Sequence, residues 1–420
     1  MTKKLLFFTS RLPLNPLSGR EMSLYYYIKY LHEMYEYDII VVTFDEKTEV
    51  VDSPNEYIRT LYKIKAPGKK ALLSNFFSMV FVKRMPLQVA LYYSADTKEA
   101  VDKIVSRENP DIVMADMVRT SEYLKDFKGK KIFDMDDMLS VRYGRQLESK
   151  GGIINPFGAY ANKLPSFVSK ILDNNFIKRK ILQYECNALS NYEMKISKSY
   201  NAVVLVSDRE RDRLNAKLNE QKAVTVSTGV NCDYFSKVDV KVKENLISFL
   251  GVYSAPHNED AVLYFYNSIF PIIKKENPDI VLRLVGGNVT DSIKRLKNDK
   301  AVNIEGRVED VRRYIKESRV FIAPLRFGSG IKTKILEAMA MGVPVVTTSI
   351  GAEGMDAENY KDMIIEDDEE KFAEAVLRLI SDKELYNKIC SNGKEFVRNN
   401  YDWNIKMKSW NEVFNLINKG

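Results

Sequence analysis

Short apolar runs alternate with helix-length segments along almost the whole chain, and this alternation restricts the fold more than any other feature. In the first half, Leu5–Thr9, Tyr37–Phe44, Asp111–Ala115, Lys131–Asp134 and Ala202–Val206 read as strands, with an amphipathic helix near Arg20–Glu33 between the first two. In the second half, Asn245–Leu250, Ile280–Val285, Val302–Glu305, Val320–Ala323 and Val343–Thr347 repeat the pattern. Helices are expected between them at Ala261–Lys275, Val308–Glu317 and Ile331–Met341. Runs this short and this continuously apolar suit strands buried on both faces of a parallel sheet. Strand–helix alternation means βαβ units. The expected fold class is α/β, with two Rossmann-like domains at 1–236 and 245–398 whose parallel sheets face a central cleft. The charged stretch Lys237–Glu244 separates them, and a last helix at 403–417 is placed to pack back on the first.

Composition closes several other routes. At 420 residues, 45% hydrophobic and 29% charged, the chain has ordinary globular values, so a disordered, collagen-like or coiled-coil chain is excluded. Cys186, Cys232 and Cys390 lie too far apart for a disulfide framework or a CxxC metal site. Two histidines, His32 and His257, cannot build a His-rich metal centre, so no metal is expected. The net charge of +7 suits a phosphorylated ligand or an anionic surface. No nucleic-acid motif accompanies it, so nucleic acid is not an expected partner. The apolar run Leu5–Thr9 is too short for the core of a signal peptide, which needs at least about seven residues. Nothing approaches the roughly 18 apolar residues of a spanning helix. The expected location is cytoplasmic, peripheral on the inner face of the membrane.

The segment from Arg326 to Val346 carries the most chemistry. It reads strand, glycine loop, helix, turn, strand. Gly328 and Gly330 flank Ser329 and let backbone approach a ligand closely. A helix starting near Ile331 leaves the amides of Ile331, Lys332 and Thr333 free, and those amides with the helix dipole make an anion site. Lys332 and Lys334 add charge. Glu337 lies too deep in the helix to be a cap and is placed to accept hydrogen bonds from sugar hydroxyls. A plain βα turn would explain the glycines but not a glutamate inside the apolar run Ile335, Leu336, Ala338, Met339.

At these residues the chain resembles the retaining nucleotide-sugar glycosyltransferases of family 4, GT-B fold, of the bacterial polysaccharide-assembly type. The matching pieces are Phe249 to Ala261, Leu284 to Gly287, Ile304 to Val311 and Leu336 to Val346. The Thr9 to Gly19 loop also resembles that family's glycine loop facing the donor phosphates. The resemblance implies a donor site made of Gly19, Gly251, Gly286, Arg307, Val308, Ser329, Gly330, Ile331, Lys332, Thr333, Lys334 and Glu337. Within it, Arg307 and Val308 hold the nucleobase through backbone, the helix-start amides take the diphosphate, and Glu337 takes the ribose as the second member of an E-x7-E pair. It implies no metal and no cofactor besides the donor substrate. The implied reaction moves a sugar from a nucleoside-diphosphate sugar to a hydroxyl of a lipid-linked glycan acceptor in cell-surface polysaccharide synthesis, with retention.

The departures from the pattern bear on the charge. Ser329 stands where the first glutamate of the pair belongs, and Val252 and Asn258 stand near the places of the family's Arg and Lys phosphate ligands. Arg326, Lys332 and Lys334 are the replacement cations expected here. The family's N-domain histidine is also missing, and Asp116 stands near its place. Two further readings fit the same residues: a nucleotide-sugar epimerase of GT-B fold, and a catalytically weak nucleotide-sugar-binding assembly subunit.

The first half offers its own polar cluster. Asp134, Asp136, Asp137 and Arg142 follow one strand, and Asp116 and Arg119 follow another, at the edge where open α/β sheets bind ligands. The expected catalytic set is Asp116, Asp137 and Arg142 on the acceptor side with Arg326 and Lys332 on the donor side. Two segments, 69–84 and 162–184, combine basic residues with apolar bulk and suit an anionic bilayer.

Overall fold

The computed structural model describes residues 2–12, 14, 19–148, 174–328 and 330–419. The chain divides into two compact units, residues 1–227 with 407–420, and residues 228–406.

The first unit is built on an eight-stranded sheet. Its strands are β1 (Lys4–Thr9), β2 (Asp38–Asp45), β3 (Glu49–Asn55), β4 (Ile58–Lys65), β5 (Ile112–Asp116), β6 (Lys130–Asp136), β7 (Ala202–Leu205) and β8 (Ala223–Thr225). The order is β3-β4-β2-β1-β5-β6-β7-β8, parallel throughout except for the β3–β4 pair. The pair β3–β4 has no counterpart in the reading from sequence. In β4, Ile58, Thr60, Leu61 and Tyr62 are buried while Lys65 is exposed, and β3 is a largely exposed edge, so neither strand presents a continuous apolar run. The chain runs from β1 to β2 on one side and later returns to β5 on the other. The switch point therefore lies at the C-terminal ends of β1 and β5, where such sheets place ligands.

The C-terminal segment completes this unit. The expected single helix 403–417 is broken into Trp403–Lys406, a tight turn at Met407–Ser409, and Trp410–Lys419. Trp410 is fully buried edge-on to Tyr27, and Phe414 stacks on Tyr37.

The second unit has six parallel strands: β9 (Lys243–Leu250), β10 (Val281–Val285), β11 (Val302–Gly306), β12 (Ser318–Ala323), β13 (Val345–Thr347) and β14 (Ile364–Ile365). Their order is β11-β10-β9-β12-β13-β14, with the switch point between β9 and β12. Residues 228–236, read from sequence as part of the first domain, pack with this unit instead. The Val230 amide donates to Tyr401 O at 2.8 Å, the Cys232 amide donates to the Asp402 carboxylate at 3.2 Å, and Gly229 lies against the Trp403 indole. Among the described residues no helix is long and apolar enough to cross a membrane.

Candidate active site

In the second unit the site grows from three strand ends. Gly251, Gly286 and Gly306 end β9, β10 and β11, and their backbones interlock: the Gly251 amide donates to Val285 O at 3.0 Å and the Gly286 amide to Gly306 O at 2.8 Å. Gly286 has φ +135°, and a Cβ there would lie 1.9 Å from Gly251 O. Only glycine allows this approach. Beyond Gly251 the chain enters the helix Pro256–Tyr264, whose start has no side-chain cap.

Across the switch point, β12 leads into the glycine loop. Ser329 lies outside the described residues. The helix runs Thr333–Ala340, starting two residues later than the sequence suggests. Gly330 takes φ +70° and Lys332 is extended, so the chain is still turning at Ile331. The open amides are therefore those of Thr333 and Lys334, because the Ile335 amide already donates to Lys332 O at 2.9 Å. Ile331 instead packs on the core of this unit.

The two uncapped helix starts meet through side chains. Lys334 Nζ donates to Asn258 Oδ1 at 2.6 Å and sits 4.2 Å from the centre of the Phe249 ring. Among the described residues no carboxylate pairs with it. Burial, with Lys332 nearby, pushes this amine down to about 7, and Glu337 only partly opposes the shift. Two helix dipoles add to the same positive potential. His257 lies against the same lysines: burial, then Lys334 and Lys332, push it down to about 4. No local sequence signal marks this environment, because the two lysines lie more than 70 positions away.

Glu337 stands one turn into the Thr333 helix. Its half-buried carboxyl has no hydrogen-bond partner among the described residues, and burial pushes it up to about 7, partly opposed by Lys334. From Thr333 to Glu337 the helix rises about 6 Å, the scale of the step from a diphosphate to a ribose. Lys332 is buried, and its Nζ donates to Gly330 O at 2.5 Å, which staples the loop to itself. Arg307 is exposed after β11, and Val308 packs on the core of this unit.

Arg326, expected as a replacement cation, is already paired. It forms a two-pronged pair with Asp260, with Nε at 2.9 Å, and lies 4.6 Å from the centre of the Tyr264 ring. Its charge is already matched by a carboxylate on the Pro256–Tyr264 helix.

In the first unit, the C-terminal ends of β1, β5 and β6 converge on Arg20, a residue the sequence reading passed over. Gly19 opens the helix Gly19–Tyr35 and Arg20 follows it, buried. Its guanidinium contacts Asp116 Oδ1 at 2.6 Å, Asp134 Oδ2 at 2.6 Å and Asp136 Oδ1 at 3.1 Å. Asp116 is fully buried, and its other oxygen accepts from Thr9 Oγ1 at 2.8 Å. Both oxygens are occupied, so Asp116 supports Arg20 rather than touching a substrate. Asp134 Oδ1 is buried without a hydrogen-bond partner among the described residues, and burial with the adjacent Asp116 and Asp136 pushes this carboxyl up to about 7 against the pull of Arg20. Asp136 and Met117 both take positive φ, +68° and +57°, so the ends of β6 and β5 carry the strained backbone typical of ligand sites.

Asp137 and Arg142 are joined, with Arg142 Nε donating to Asp137 Oδ2 at 2.6 Å, while Asp137 Oδ1 is buried with no hydrogen-bond partner among the described residues. Their helix, Leu139–Glu148, is anchored at its start by Glu193, which accepts from the Ser140 amide at 3.0 Å and is pushed up to about 8 by burial. Arg142 is the more exposed partner of the pair.

Residues 244–382 match a family model described as glycosyl transferases group 1. A protein of the Klebsiella pneumoniae cps region, described as uncharacterized, is 24% identical over 300 residues, covering 68% of this chain and 75% of its own length. An uncharacterized glycosyltransferase of Methanocaldococcus jannaschii is 22% identical over 323 residues, 73% of this chain and 75% of that one. Among solved structures, Anabaena Alr3699/HepE in complex with UDP and glucose aligns with TM-score 0.61 at 12% identity, over 99% of this chain and 100% of the other. The second unit therefore carries a glycosyltransferase group 1 domain, and the chain is a glycosyltransferase enzyme of α/β, GT-B architecture.

Proposed function

We propose that the second unit binds a nucleoside-diphosphate sugar and the first unit a lipid-linked glycan, and that the sugar passes with retention to an acceptor hydroxyl during cell-surface polysaccharide synthesis. The observation that carries this reading is the unpartnered Glu337 carboxyl one turn beyond an uncapped helix start beside Lys334. A diphosphate on the amides of Thr333 and Lys334 brings its ribose diol to Glu337. The nucleobase then lies against the Arg307–Val308 backbone. The solved relative holding UDP and glucose, and the relative from a cps region, support the donor class and the pathway class.

In the reaction the bond from the anomeric carbon to the diphosphate oxygen breaks, and a bond to the acceptor oxygen forms on the same face. The acceptor proton passes to the leaving phosphate, so no protein nucleophile and no metal are needed. Charge builds on the diphosphate, where fixed amide dipoles and a lysine stabilise the transition state. On the acceptor side, Asp136, Asp137 and Arg142 stand at the ligand edge of the sheet, held in place by Arg20 and Glu193.

A bilayer face fits the same reading. Tyr184 donates to Val80 O and Met85 O, both at 3.0 Å, so the described part of the second basic segment packs against the first. Val82 and Phe176 are 79% and 68% exposed there, beside the exposed bases Lys83, Arg84, Arg179 and Lys180. Residues 162–173 lie outside the described residues. Exposed apolar bulk ringed by cations suits an anionic membrane.

Two measurements test the proposal. Radiolabelled donors are offered with no acceptor, with soluble glycans and with lipid-linked glycans in anionic vesicles. Label should move only to an acceptor, and best to the vesicle-borne one. Release of nucleotide and an altered free sugar without acceptor overturns the transferase mechanism in favour of epimerisation. Separately, Glu337→Ala should weaken nucleoside-diphosphate binding by about 1–3 kcal/mol, the usual cost of unpairing a polar group. Unchanged affinity removes Glu337 from the ribose role.

A further inference from the structure

The cations around the glycine loop are not equivalent. Arg326 is matched by Asp260, and Lys332 Nζ is turned back on the Gly330 carbonyl. Lys334 differs from both. Its amine lies between the Asn258 amide oxygen and the Phe249 ring face, at the meeting of two helix N-termini, with no paired carboxylate among the described residues. Such a site is built to hold an anion and is a costly place for a lone ammonium.

We propose that Lys334 meets the donor diphosphate as a proton-linked group, a neutral amine in the free protein at mildly alkaline pH and an ammonium against the bound anion. The inference rests on the donor reading above and adds to it a proton taken from solvent with each diphosphate bound. Every charged group facing the amine bears on this. Lys332 on the loop disfavours the ammonium, and Glu337 on the same helix favours it. His257, on the Pro256–Tyr264 helix, is pushed down to about 4 and stays neutral through the working range. Phe249, from β9, carries no charge, but its ring face and the Asn258 oxygen favour the ammonium without supplying a counter-charge.

The amine is pushed down to about 7 in the free protein. A bound diphosphate supplies the missing counter-charge and raises it. Apparent affinity then falls as pH rises above 7, by up to roughly tenfold per pH unit, because protonation must accompany binding. UDP and GDP do not produce this trend, since their terminal phosphate, with a second ionisation near pH 6, is already almost fully charged there. Glu337 is also pushed up to about 7, and an anion beside it raises it further, so variants tell the two groups apart: the buffer dependence should persist in Glu337→Gln and vanish in Lys334→Arg.

The test is titration calorimetry with UDP, GDP and inorganic pyrophosphate from pH 6.5 to 9, in buffers of different ionisation enthalpy. At pH 8 the heat should vary between buffers with a slope near one proton taken up per diphosphate. In Lys334→Arg the charge is permanent, so affinity should persist to pH 9 and the buffer dependence should vanish. In Lys334→Met affinity should be low at pH 6.5 and flat with pH. Wild-type binding that is equal at pH 6.5 and 9, with no buffer-dependent heat, overturns the proton linkage and leaves the donor site standing. No binding of any of the three probes at any pH overturns both.

Discussion

Replacing Arg20 by methionine should destabilise the first unit by about 3–5 kcal/mol, the cost of removing one partner from a buried ion cluster. The loss is large because the cluster is not one pair. Arg20 contacts Asp116, Asp134 and Asp136, and the first two are fully buried. Without the guanidinium those carboxylates lose their direct counter-ion, and of the cations only Arg11 still acts on Asp116. For a unit of this size the shift in melting temperature is roughly 2–4 °C per kcal/mol, so a drop of about 6–20 °C is expected by calorimetry. The direction with pH is also determined. In the variant, the aspartates have folded-state pKa values raised above their unfolded values. Stability is then fully present below the unfolded carboxylate range and is lost as pH rises through the folded values. Asp134 already stands at about 7 with Arg20 in place, so the variant's deficit should be small near pH 5 and should widen through pH 8. Adding Asp116→Asn and Asp134→Asn should recover much of the loss at pH 8. A deficit that does not change with pH would falsify the charge explanation.

Arg20 also shows where reading the chain stopped. The parallel sheets could be read from sequence because their central strands are buried on both faces, and continuous apolar runs mark such strands without reference to neighbours. The hairpin β3–β4 could not, since one face of β4 is polar and β3 is an exposed edge. Gly328, Gly330 and Glu337 could be picked out for a local reason: a glycine pair before a helix and a carboxylate inside its apolar stripe are visible within a dozen residues. The roles of Arg20, His257 and Arg326 depend on partners far along the chain. Arg20 meets Asp116 across 96 positions, and Arg326 meets Asp260 across 66. Arg326 is paired with a carboxylate, and Asp116, one of the expected catalytic groups, is buried against Arg20. Neither follows from residue type. A charged residue reads the same on paper whether its neighbour is a ligand, a carboxylate or water.

The second large effect is expected at Gly286, where the fold and the donor site share one backbone contact. Gly286→Ala should cost the second unit about 3 kcal/mol or more, from a backbone angle that L residues rarely adopt and from overpacking. The added Cβ would stand 1.9 Å from the carbonyl oxygen of Gly251, which is main chain and cannot swing aside. Gly251 has little room to retreat, because its own Cβ position is only 2.8 Å from Asn258 Cγ. Asn258 in turn holds the Lys334 amine. Relief of the clash therefore passes along the main chain into the place where the two helix starts meet, and UDP affinity should fall together with thermal stability. Gly306→Ala is the control. It also has positive φ, +69°, but its Cβ would meet nothing within 4 Å, so only the conformational cost of about 1–2 kcal/mol is expected, with UDP binding nearly unchanged. Equal losses in the two variants would assign the whole effect to backbone angle. A larger loss of melting temperature at Gly286 combines its costlier backbone angle, φ +135°, with the clash, and a fall in UDP affinity seen only there marks the contact that fits the donor site to its sheet.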